Sequence, residues 1–574
     1  MQTAGFLSGK RCPVVKANTQ YYNMSVKKHY DVIVIGGGIT GAGVARDCAL
    51  RGLKVLLLER YDLTNGATGR NHGLLHSGAR YAVTDAEAAS ECIKENMILR
   101  KIAAHCVEET NGLFITLPED DLAYQKKFID SCRNAGIDAR AIDPQEARRM
   151  EPAVNPDLTG AVLVPDGAVD PFRLTVYNAY DAQLHGADIL TYQEVTGFIK
   201  DDRGRVRGVT TYSHADKSED SFYGTVTVNA GGIWGTLIAG MAGAGINMFP
   251  AKGSLLIFGH RVNNVVINRC RKPADADILV PGDTICLIGT TSTRIPIEEC
   301  DNVRPTPEEV DLLWREGIKL APSLADTRIV RAYAGVRPLV AADNDPSGRN
   351  ISRGIVCLDH ESRDGIPGLI TITGGKLMTY RLMAEIATDM VCRKLGSITP
   401  CTTADTPLVG SDENARPDKE KPAASTYRAA WGRHGSNIKD IASGSAKDKS
   451  VVCECEEVSV GEVGYAIETL GARNIVNLRR RTRLGMGPCQ GEVCACRAAG
   501  LIAKADNCAD KAKKDLASFI QERWKGMYPV TWGATVREAQ LTSYLYQGLC
   551  GLDHYASESR EERPVIQGGR NNEI

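Results

Sequence analysis

An α/β fold is predicted by this sequence, with two interleaved sheet domains and a small helical domain at the carboxyl end. Three observations carry the prediction: a strand–helix–strand unit near residue 30, strand-like segments that return at 225–232 and 369–375, and a cysteine cluster beyond residue 450. The 574 residues have a net charge of −1. Near-neutral charge argues against coating of nucleic acid or anionic lipid, and we expect no nucleic-acid partner.

The first unit contains a glycine pattern of the type G-x-G-x-x-G. Gly36, Gly38 and Gly41 lie between a predicted strand at 30–35 and a predicted helix at 42–51. These glycines allow a tight turn, close approach of a pyrophosphate and close packing of helix on strand. Glu59, at the end of the second strand, is placed to accept hydrogen bonds from a ribose. The unit therefore predicts an ADP-binding, Rossmann-like domain.

The wider layout favours a flavin over a nicotinamide. Strand-like segments return late in the chain, and alternating patterns at 160–164 and 285–289 are typical of an antiparallel sheet. We therefore expect an FAD-binding domain interleaved with an antiparallel-sheet substrate domain over residues 29–408. The uncharged run 226–251 is too rich in glycine for a bilayer helix and predicts a strand, a turn and a helix start.

The two terminal segments of the chain and one domain boundary are predicted from composition. Residues 1–28 lack the apolar region of a signal peptide and predict a disordered N-terminal extension, with Met24 as an alternative start. Residues 409–450 are polar and predict a linker. Residues 504–574 form a C-terminal segment whose aromatic residues are interpreted as core, with a docking surface as the alternative.

Cysteine usage indicates a redox or metal centre. Eleven of the 18 cysteines are spread over the first 450 residues, where we expect small buried hydrophobic side chains. Cys453 and Cys455 form one close pair, and Cys489 and Cys494 another, within a domain predicted at 451–503. Four thiolates suit a [2Fe-2S] cluster, which is favoured, or a structural zinc ion; ligand-free core cysteines are the third interpretation.

Four arginines precede the second cysteine pair. They are Arg479, Arg480, Arg481 and Arg483. The favoured interpretation is a solvated basic face. The alternative is that they offset the negative charge of a cluster or dock a redox partner.

Long segments of the chain carry a resemblance to a known family. Among them are GATGRNHGLLHSGARY at 66–81, TGGKLMTYR at 373–381 and GMGPCQGEVCAC at 485–496. From about residue 30 to residue 552 the sequence resembles the catalytic A subunits of bacterial anaerobic glycerol-3-phosphate dehydrogenases. The last segment is similar to the [2Fe-2S] domain of bacterioferritin-associated ferredoxin. The implied fold is of the D-amino-acid-oxidase and glycerol-3-phosphate-dehydrogenase type.

The resemblance implies an activity and an assembly. The implied reaction is FAD-linked oxidation of sn-glycerol 3-phosphate to dihydroxyacetone phosphate in glycerol metabolism and anaerobic respiration. Electrons would pass through a B subunit, which the resemblance also associates with FMN, and a membrane-associated iron–sulfur C subunit to the quinone pool. The chain would then be cytoplasmic and peripheral on the inner membrane, attached through these partners.

The resemblance also implies site residues. Arg337, Arg353 and Lys376 match positions that hold substrate phosphate or lie beside the flavin, and Arg80 and Tyr81 match the lining of the same pocket. His76 is the candidate proton acceptor, with a structural role as the alternative. The positions assigned to FAD, counting the ADP-binding motif, are Gly36, Gly38, Gly41, Glu59, Arg60, Thr64, Thr68, Asn71, His72, Gly374, Gly375 and Thr379.

Two other functions stay open at the level of sequence. One is a flavin oxidase of a 2-hydroxy or amino acid, which would recognise a carboxylate and have no need of the cysteine domain. The other assigns the four-cysteine domain a zinc-stabilised docking role without electron transfer. Iron and zinc content distinguishes the second from the favoured interpretation.

Overall fold

The computed structural model describes residues 29–340, 354–412, 425–442 and 444–552. Strands and helices are numbered along these residues. Two large sheets, a three-stranded sheet and a small two-stranded sheet are present in this part of the chain. The N-terminal extension predicted at 1–28 lies outside the described residues, as does Arg353.

The strands of the first large sheet are β1 (His29–Ile35), β2 (Val55–Glu59), β9 (Asp188–Thr191), β10 (Gln193–Lys200), β11 (Val206–Ser213), β12 (Ser218–Asn229), β19 (Ile355–Asp359) and β20 (Leu369–Gly374). The sheet is built around parallel strands in the order β9–β2–β1–β12–β20, with β19 antiparallel at one edge. Strands β10 and β11 extend it by antiparallel pairing along the first half of β12.

The inner strands of this sheet are continuous apolar runs because both faces are covered. Val32 and Val34 on β1 pack in one core with the helices on that face, and Ile33 lies in a second core on the other face. The covering helices of the first core are α1 (Ile39–Leu50), α5 (Pro171–Leu184) and α9 (Tyr380–Leu395). This arrangement is the Rossmann-like domain that the sequence predicts.

The second large sheet has nine strands and is antiparallel except where β14 pairs in parallel with β5. Its strands are β5 (Gly112–Thr116), β6 (Arg140–Ile142), β7 (Gly160–Val164), β13 (Met248–Phe258), β14 (Val266–Arg269), β15 (Ile278–Pro281), β16 (Cys286–Gly289), β17 (Thr293–Arg294) and β18 (Ile329–Val340). Its strands alternate along the chain with those of the first sheet, so the predicted interleaving of two domains is present.

Smaller elements connect these domains. The three-stranded sheet contains β3 (Leu74–Leu75), β4 (Val107–Glu108) and β8 (Gly167–Val169). The remaining helices of this part are α2 (Ala86–Ile102), α3 (Tyr124–Asn134), α4 (Pro144–Met150), α6 (Gly235–Met241), α7 (Pro307–Leu320) and α8 (His360–Asp364). The uncharged run 226–251 forms the end of β12, a short turn, α6 and the start of β13, as expected.

The C-terminal part is a helical module with its own apolar core. Its elements are β21 (Val451–Cys453), β22 (Val458–Ser459), α12 (Val460–Glu468), α13 (Ile475–Thr482), α14 (Cys494–Ala505), α15 (Ala509–Met527) and α16 (Ala534–Ser543). Leu478, Ile502, Phe519 and Tyr546 are buried in that core. The aromatic residues beyond 504 are divided, since Tyr546 is 2% exposed and Tyr544 is 80% exposed.

The polar segment predicted as a linker is partly helical. Residues 425–442 contain α10 (Ser425–His434) and α11 (Ile438–Ala442). Arg433 is 2% exposed and donates to the Glu462 carboxylate on α12 at 2.6 Å. The polar composition of this segment therefore includes buried, ion-paired side chains that pack on the helical module. No helix of the described residues has the length and apolar character needed to cross a bilayer.

Candidate active site and cysteine centre

The turn after β1 depends on glycine at two positions. Gly36 has a φ of +111°, and a Cβ there would lie 2.6 Å from the Ala230 carbonyl oxygen. At Gly41, inside α1, a Cβ would lie 1.9 Å from the carbonyl oxygen of Gly36. Only glycine lets the helix lie this close to the strand. The amino end of α1 is thereby held at the edge of a large cavity.

Two predicted cofactor residues bind backbone amides of this turn. Thr68 Oγ1 accepts a hydrogen bond from the Ile39 amide at 3.1 Å, and Glu59 Oε2 accepts one from the Gly37 amide at 2.7 Å. Burial raises the pKa of Glu59, although its backbone hydrogen bonds act in the opposite direction. Thr68 and Glu59 both line the cavity, so each is placed to contact a bound dinucleotide as well as the turn.

The cavity has a volume of about 1040 Å³ and lies at the carboxyl end of the parallel strands. Ligand sites of doubly wound sheets lie at this edge, and the volume is at the upper limit of about 300–1,000 Å³ for small-molecule sites. The structure therefore offers room for a dinucleotide such as FAD. The predicted residues that line the cavity are Gly36, Gly38, Glu59, Arg60, Thr68, Asn71, His72, His76, Arg80, Tyr81, Arg337, Gly374, Gly375 and Lys376.

Arg337 reaches the cavity from β18, in the second sheet. Its guanidinium donates to the Thr291 carbonyl at 3.0 Å and to the hydroxyl of Thr290. Gly253, on the adjacent strand, provides the space, since a Cβ there would lie 2.5 Å from Arg337 Nη2. These hydroxyl and carbonyl contacts fix the guanidinium at the cavity wall.

Lys376 follows the Gly374–Gly375 turn at the end of β20. Both glycines have positive φ, +76° and +62°, and at Gly374 a Cβ would lie 2.4 Å from the Gly354 carbonyl oxygen. Lys376 Nζ is buried, and the described residues offer it no hydrogen-bond acceptor. The ammonium lies 4.9 Å from the ring centroid of Tyr81. A buried cation without an acceptor, at the wall of a cavity, is suited to an anionic ligand.

Arg80 and His76 are held by neighbouring side chains. Arg80 donates to the buried carboxylate of Asp277 at 3.0 Å and to the Ala274 carbonyl at 2.9 Å. His76 is 7% exposed and packs against Tyr81, with ring centroids 5.5 Å apart. Arg80 is therefore ion-paired within the protein, whereas Lys376 Nζ has no hydrogen-bond acceptor among the described residues.

Three predicted cofactor residues lie outside this cavity wall. Gly41 packs α1 on β1. Thr379 Oγ1 accepts a hydrogen bond from the Lys376 amide at 2.9 Å and so closes the turn after β20. Thr64, with a φ of +67°, lines a second, smaller cavity. These residues shape the walls, and contact of Thr64 and Thr379 with FAD stays a prediction.

Other residues at the cavity wall, and two carboxylates that hold its arginines, were missed from the sequence. Trp234 lies under the Arg60 guanidinium, 5.3 Å from guanidinium carbon to ring centroid, and Asp301 pairs with Arg60 at 2.7 Å. Thr290, which holds Arg337, follows β16. No local pattern marks these positions, because they meet only when the two sheets come together. Asp277 could have been found, since it lies in the segment 268–283 that resembles the family.

The four predicted ligand cysteines form two thiol pairs. Cys453 lies beside Cys494, and Cys455 beside Cys489. The neighbouring thiol of Cys455 and the backbone amides at 491–493 lower the pKa of Cys489 to about 5. Within the described residues, no three His, Cys, Asp or Glu side chains converge as ligands of one metal ion. Two pairs fit a binuclear centre with two thiolates per iron better than a single tetrahedral zinc.

The arginines before Cys489 do not form a solvated basic face. Arg481 donates to both carboxylate oxygens of Asp62 at 2.8 Å, and the side chains are 3% and 4% exposed. Arg483 pairs with Asp283 at 2.7 Å, and Arg479 is 9% exposed. The favoured interpretation from sequence was wrong because Arg481 and Arg483 pair with Asp62 and Asp283 of the two sheet domains, and Arg483 also pairs with Glu456 of the module. These ion pairs join the helical module to the rest of the molecule.

Comparison with known proteins agrees with this architecture. Residues 31–381 match the family described as FAD dependent oxidoreductase, and residues 451–504 match the BFD-like [2Fe-2S] binding domain. A solved structure of glycerol-3-phosphate dehydrogenase from Bacillus halodurans, complexed with FAD, superposes with a TM-score of 0.68 at 23% identity, covering 90% of this chain and 99% of that one.

Two relatives resemble nearly the whole chain. The A subunit of the anaerobic glycerol-3-phosphate dehydrogenase of Haemophilus influenzae is 61% identical over 91% of this chain and 93% of its own length. The corresponding A subunit of Escherichia coli K12 is 62% identical over 91% of this chain and 97% of its own length.

Fold, cavity and cysteine pairs together define an FAD-dependent oxidoreductase with an attached [2Fe-2S] domain. The predicted fold class and the predicted cofactors FAD and [2Fe-2S] are thereby confirmed. At 61–62% identity over most of its length, the chain belongs to the family of anaerobic glycerol-3-phosphate dehydrogenase A subunits.

Proposed function

We propose that this protein oxidises sn-glycerol 3-phosphate to dihydroxyacetone phosphate as the catalytic subunit of a quinone-reducing complex. The observation that carries the proposal is the presence of Arg337 and buried Lys376 Nζ on one cavity wall, beside the Gly374–Gly375 turn. A phosphate monoester needs fixed cationic donors, and these two side chains supply them from different sheets.

Each cation has a separate task in this proposal. Arg337, held through Nη2 by Thr290 and Thr291, places a fixed positive charge at the wall where the phosphate would lie. Lys376, buried against Tyr81, provides a point charge that gains its missing acceptor when substrate binds. Bound FAD supplies the acceptor for the hydride that leaves the secondary carbon. The two cations orient that carbon by holding the phosphate.

The hydroxyl proton requires an acceptor inside the same cavity. His76 is the candidate that the resemblance supplies; it lines the cavity and packs beside Tyr81, and we assign it the proton.

The onward electron path involves the helical module. Two thiol pairs within one domain of the same chain support a one-electron carrier between the flavin and partner subunits. We propose a B subunit, which binds the FMN, and a membrane-associated iron–sulfur C subunit that delivers electrons to the quinone pool. The chain would be held on the cytoplasmic face of the inner membrane by these partners.

The first experiment is a visible spectrum of the anaerobically purified chain before and after addition of sn-glycerol 3-phosphate, with iron and zinc quantified. We expect the flavin bands to bleach and about two irons per chain, as a [2Fe-2S] cluster requires. Glycine and lactate are the matched controls for a carboxylate-specific oxidase. If glycine or lactate bleaches the flavin and sn-glycerol 3-phosphate does not, the phosphate-specific site is contradicted. Zinc in place of iron would contradict the proposed electron path.

A further inference from the structure

The 290–292 loop, which connects β16 to β17, contacts the Arg337 guanidinium with all three of its residues. Nη2 donates to the Thr290 hydroxyl and, at 3.0 Å, to the Thr291 carbonyl, and Nη1 lies 3.5 Å from the Ser292 hydroxyl. Thr290 lines the flavin cavity together with Arg337, and Thr291 is 2% exposed. The position of the guanidinium therefore depends on what holds this loop.

The loop is held by Glu309, which lies in the first turn of α7 and outside the lining of the flavin cavity. Glu309 Oε1 accepts a hydrogen bond from the Thr291 hydroxyl at 3.0 Å. The same hydroxyl accepts one from the Ser254 amide of β13, also at 3.0 Å. Thr291 is thus fixed between a helix and a strand while its carbonyl accepts from Arg337.

Glu309 also accepts from three groups besides Thr291. Its Oε2 lies 2.8 Å from Lys252 Nζ and accepts from the Ser254 hydroxyl and the Thr306 amide, each at 2.9 Å. Burial would raise the pKa of Glu309, but its hydrogen bonds from Lys252, Thr306 and Ser254 outweigh burial and hold it below its usual value. An ionised carboxylate only accepts hydrogen bonds, so the Thr291 and Ser254 hydroxyls both donate to it.

Strand β13 is the second surface that packs against the guanidinium. Arg337 lies opposite Ala251 in the pairing of β18 with β13, and its Nη1 lies 3.5 Å from the Lys252 carbonyl oxygen. A Cβ at Gly253 would lie 2.5 Å from Nη2. Glu309 therefore binds side chains on both surfaces that contact the guanidinium, β13 and the 290–292 loop.

We propose that Glu309 is a positioning residue for substrate binding, which acts by holding Arg337 where the substrate phosphate lies. The inference rests on the proposed function, because Arg337 is assigned to the phosphate there. An arginine side chain loses rotamer freedom when it binds an anion, and a guanidinium that is already fixed loses less. Glu309 therefore raises the affinity for substrate without touching it.

The competing explanation is that Glu309 only neutralises buried Lys252. Substitution of Glu309 would then reduce stability or FAD content, and would leave the KM of the folded, FAD-loaded chain unchanged. The test therefore measures KM and kcat for sn-glycerol 3-phosphate in dye-linked turnover of the full chain, with FAD content taken from the flavin absorbance.

The first variant is Glu309→Gln, which exchanges one of two acceptor oxygens for an amide group that donates. We expect the KM to rise at least fivefold while kcat and FAD content change less than twofold. Glu308→Gln is the matched control, because Glu308 precedes Glu309 in the same turn and is exposed. Its KM is expected to change less than twofold.

A double-mutant cycle with Arg337→Ala tests whether Glu309 acts through Arg337. In the Arg337→Ala background, Glu309→Gln is expected to change the KM less than twofold, because the group that it positions is already gone. If Glu309→Gln loses FAD, Thr291→Val replaces it in the cycle, since it removes the bridging hydroxyl and keeps the pair of Glu309 with Lys252. Thr291→Ser, which retains a hydroxyl, is then expected to recover most of the lost affinity.

Two results would overturn the inference. One is an unchanged KM in the FAD-loaded variant at position 309 or 291. The other is an equal rise of the KM with and without Arg337, which would place the action of Glu309 elsewhere. Neither result contradicts the proposed function as long as Arg337→Ala alone raises the KM. An unchanged KM in Arg337→Ala would overturn both the phosphate assignment of Arg337 and this inference.

Discussion

The flavin cavity and the cysteine centre are built in opposite ways. The cavity brings together Gly36, His76, Arg337 and Lys376, which come from both sheets and lie up to 340 positions apart. The four ligand cysteines lie between residues 453 and 494, inside a helical module with its own core. A site built from one segment can be recognised in the sequence. A site built from many segments forms only when the whole domain has folded.

The two regions are nevertheless joined by buried charge. Asp62, just after β2, accepts hydrogen bonds from Arg481, and Arg480 lies 3.3 Å from the same carboxylate. The helical module therefore has its own apolar core but is attached to the sheet domains through buried ion pairs. Single substitutions can separate these two properties.

The largest expected effect is on the cluster. Cys489→Ser removes one thiolate from the Cys455–Cys489 pair, so we expect cluster absorbance and iron to be lost while FAD content and dye-linked turnover persist. Cys496→Ser is the matched control, because Cys496 contacts Cys550 at 3.5 Å and lies outside the two ligand pairs. Loss of FAD from Cys489→Ser would show that the two regions do not fold independently.

Substrate binding in the flavin cavity should depend on Arg337. Arg337→Ala removes a charged donor of the phosphate, and at about 1.5–3 kcal/mol for a hydrogen bond to a charged group the KM should rise roughly 10- to 100-fold. Arg294→Ala is the control, since Arg294 and Arg337 flank Ala251 on adjacent strands and Arg294 is exposed outside the cavity. Steady-state kinetics measures the KM, and the flavin absorbance of each variant measures its FAD content. A loss of FAD in place of a rise in KM would assign Arg337 a structural role.

The interface should depend on Asp62. Asp62→Asn leaves Arg481 buried and uncompensated, which typically costs about 3–5 kcal/mol. We expect a corresponding fall in the free energy of unfolding, followed in urea by cluster absorbance. Asp130→Asn breaks the exposed pair with Lys126 and should cost less than about 1 kcal/mol. Equal effects of the two substitutions would mean that the module does not depend on this pair.

The smallest predicted effect is the pH dependence of the same contact. Burial would raise the pKa of Asp62, but Arg481 and Arg480 outweigh burial and hold it below its usual value. The stabilisation is therefore complete above the unfolded pKa of about 3.9 and is lost as pH falls toward the lower folded pKa. Urea unfolding of the parent chain and Asp62→Asn from pH 6 to pH 3 should show a difference that is constant above pH 5 and shrinks below pH 4. A difference that grows on acidification would contradict the assigned sign.

Features formed within one short segment were predicted correctly from the sequence, and ion pairs that join distant segments were not. The glycine turn was predicted because Gly36 and Gly41 satisfy steric demands within one strand–helix unit. The cysteine domain was predicted because its ligands lie within one short segment. The basic face was mispredicted because Arg481 and Arg483 are buried by ion pairs with Asp62 and Asp283, which lie at least 200 positions away.

The sequence by itself predicted the Rossmann-like unit, the interleaved sheets and a four-cysteine domain, which follow from hydrophobic period, glycine spacing and cysteine spacing. The residues of the flavin cavity beyond the glycine turn were predicted through the resemblance to the family. Only the tertiary structure decided which charges are paired. Among the described residues it paired Arg80 with Asp277, paired Arg481 with Asp62 and left Lys376 Nζ without an acceptor. Pairing depends on distances between side chains from different domains, and those distances exist only after folding.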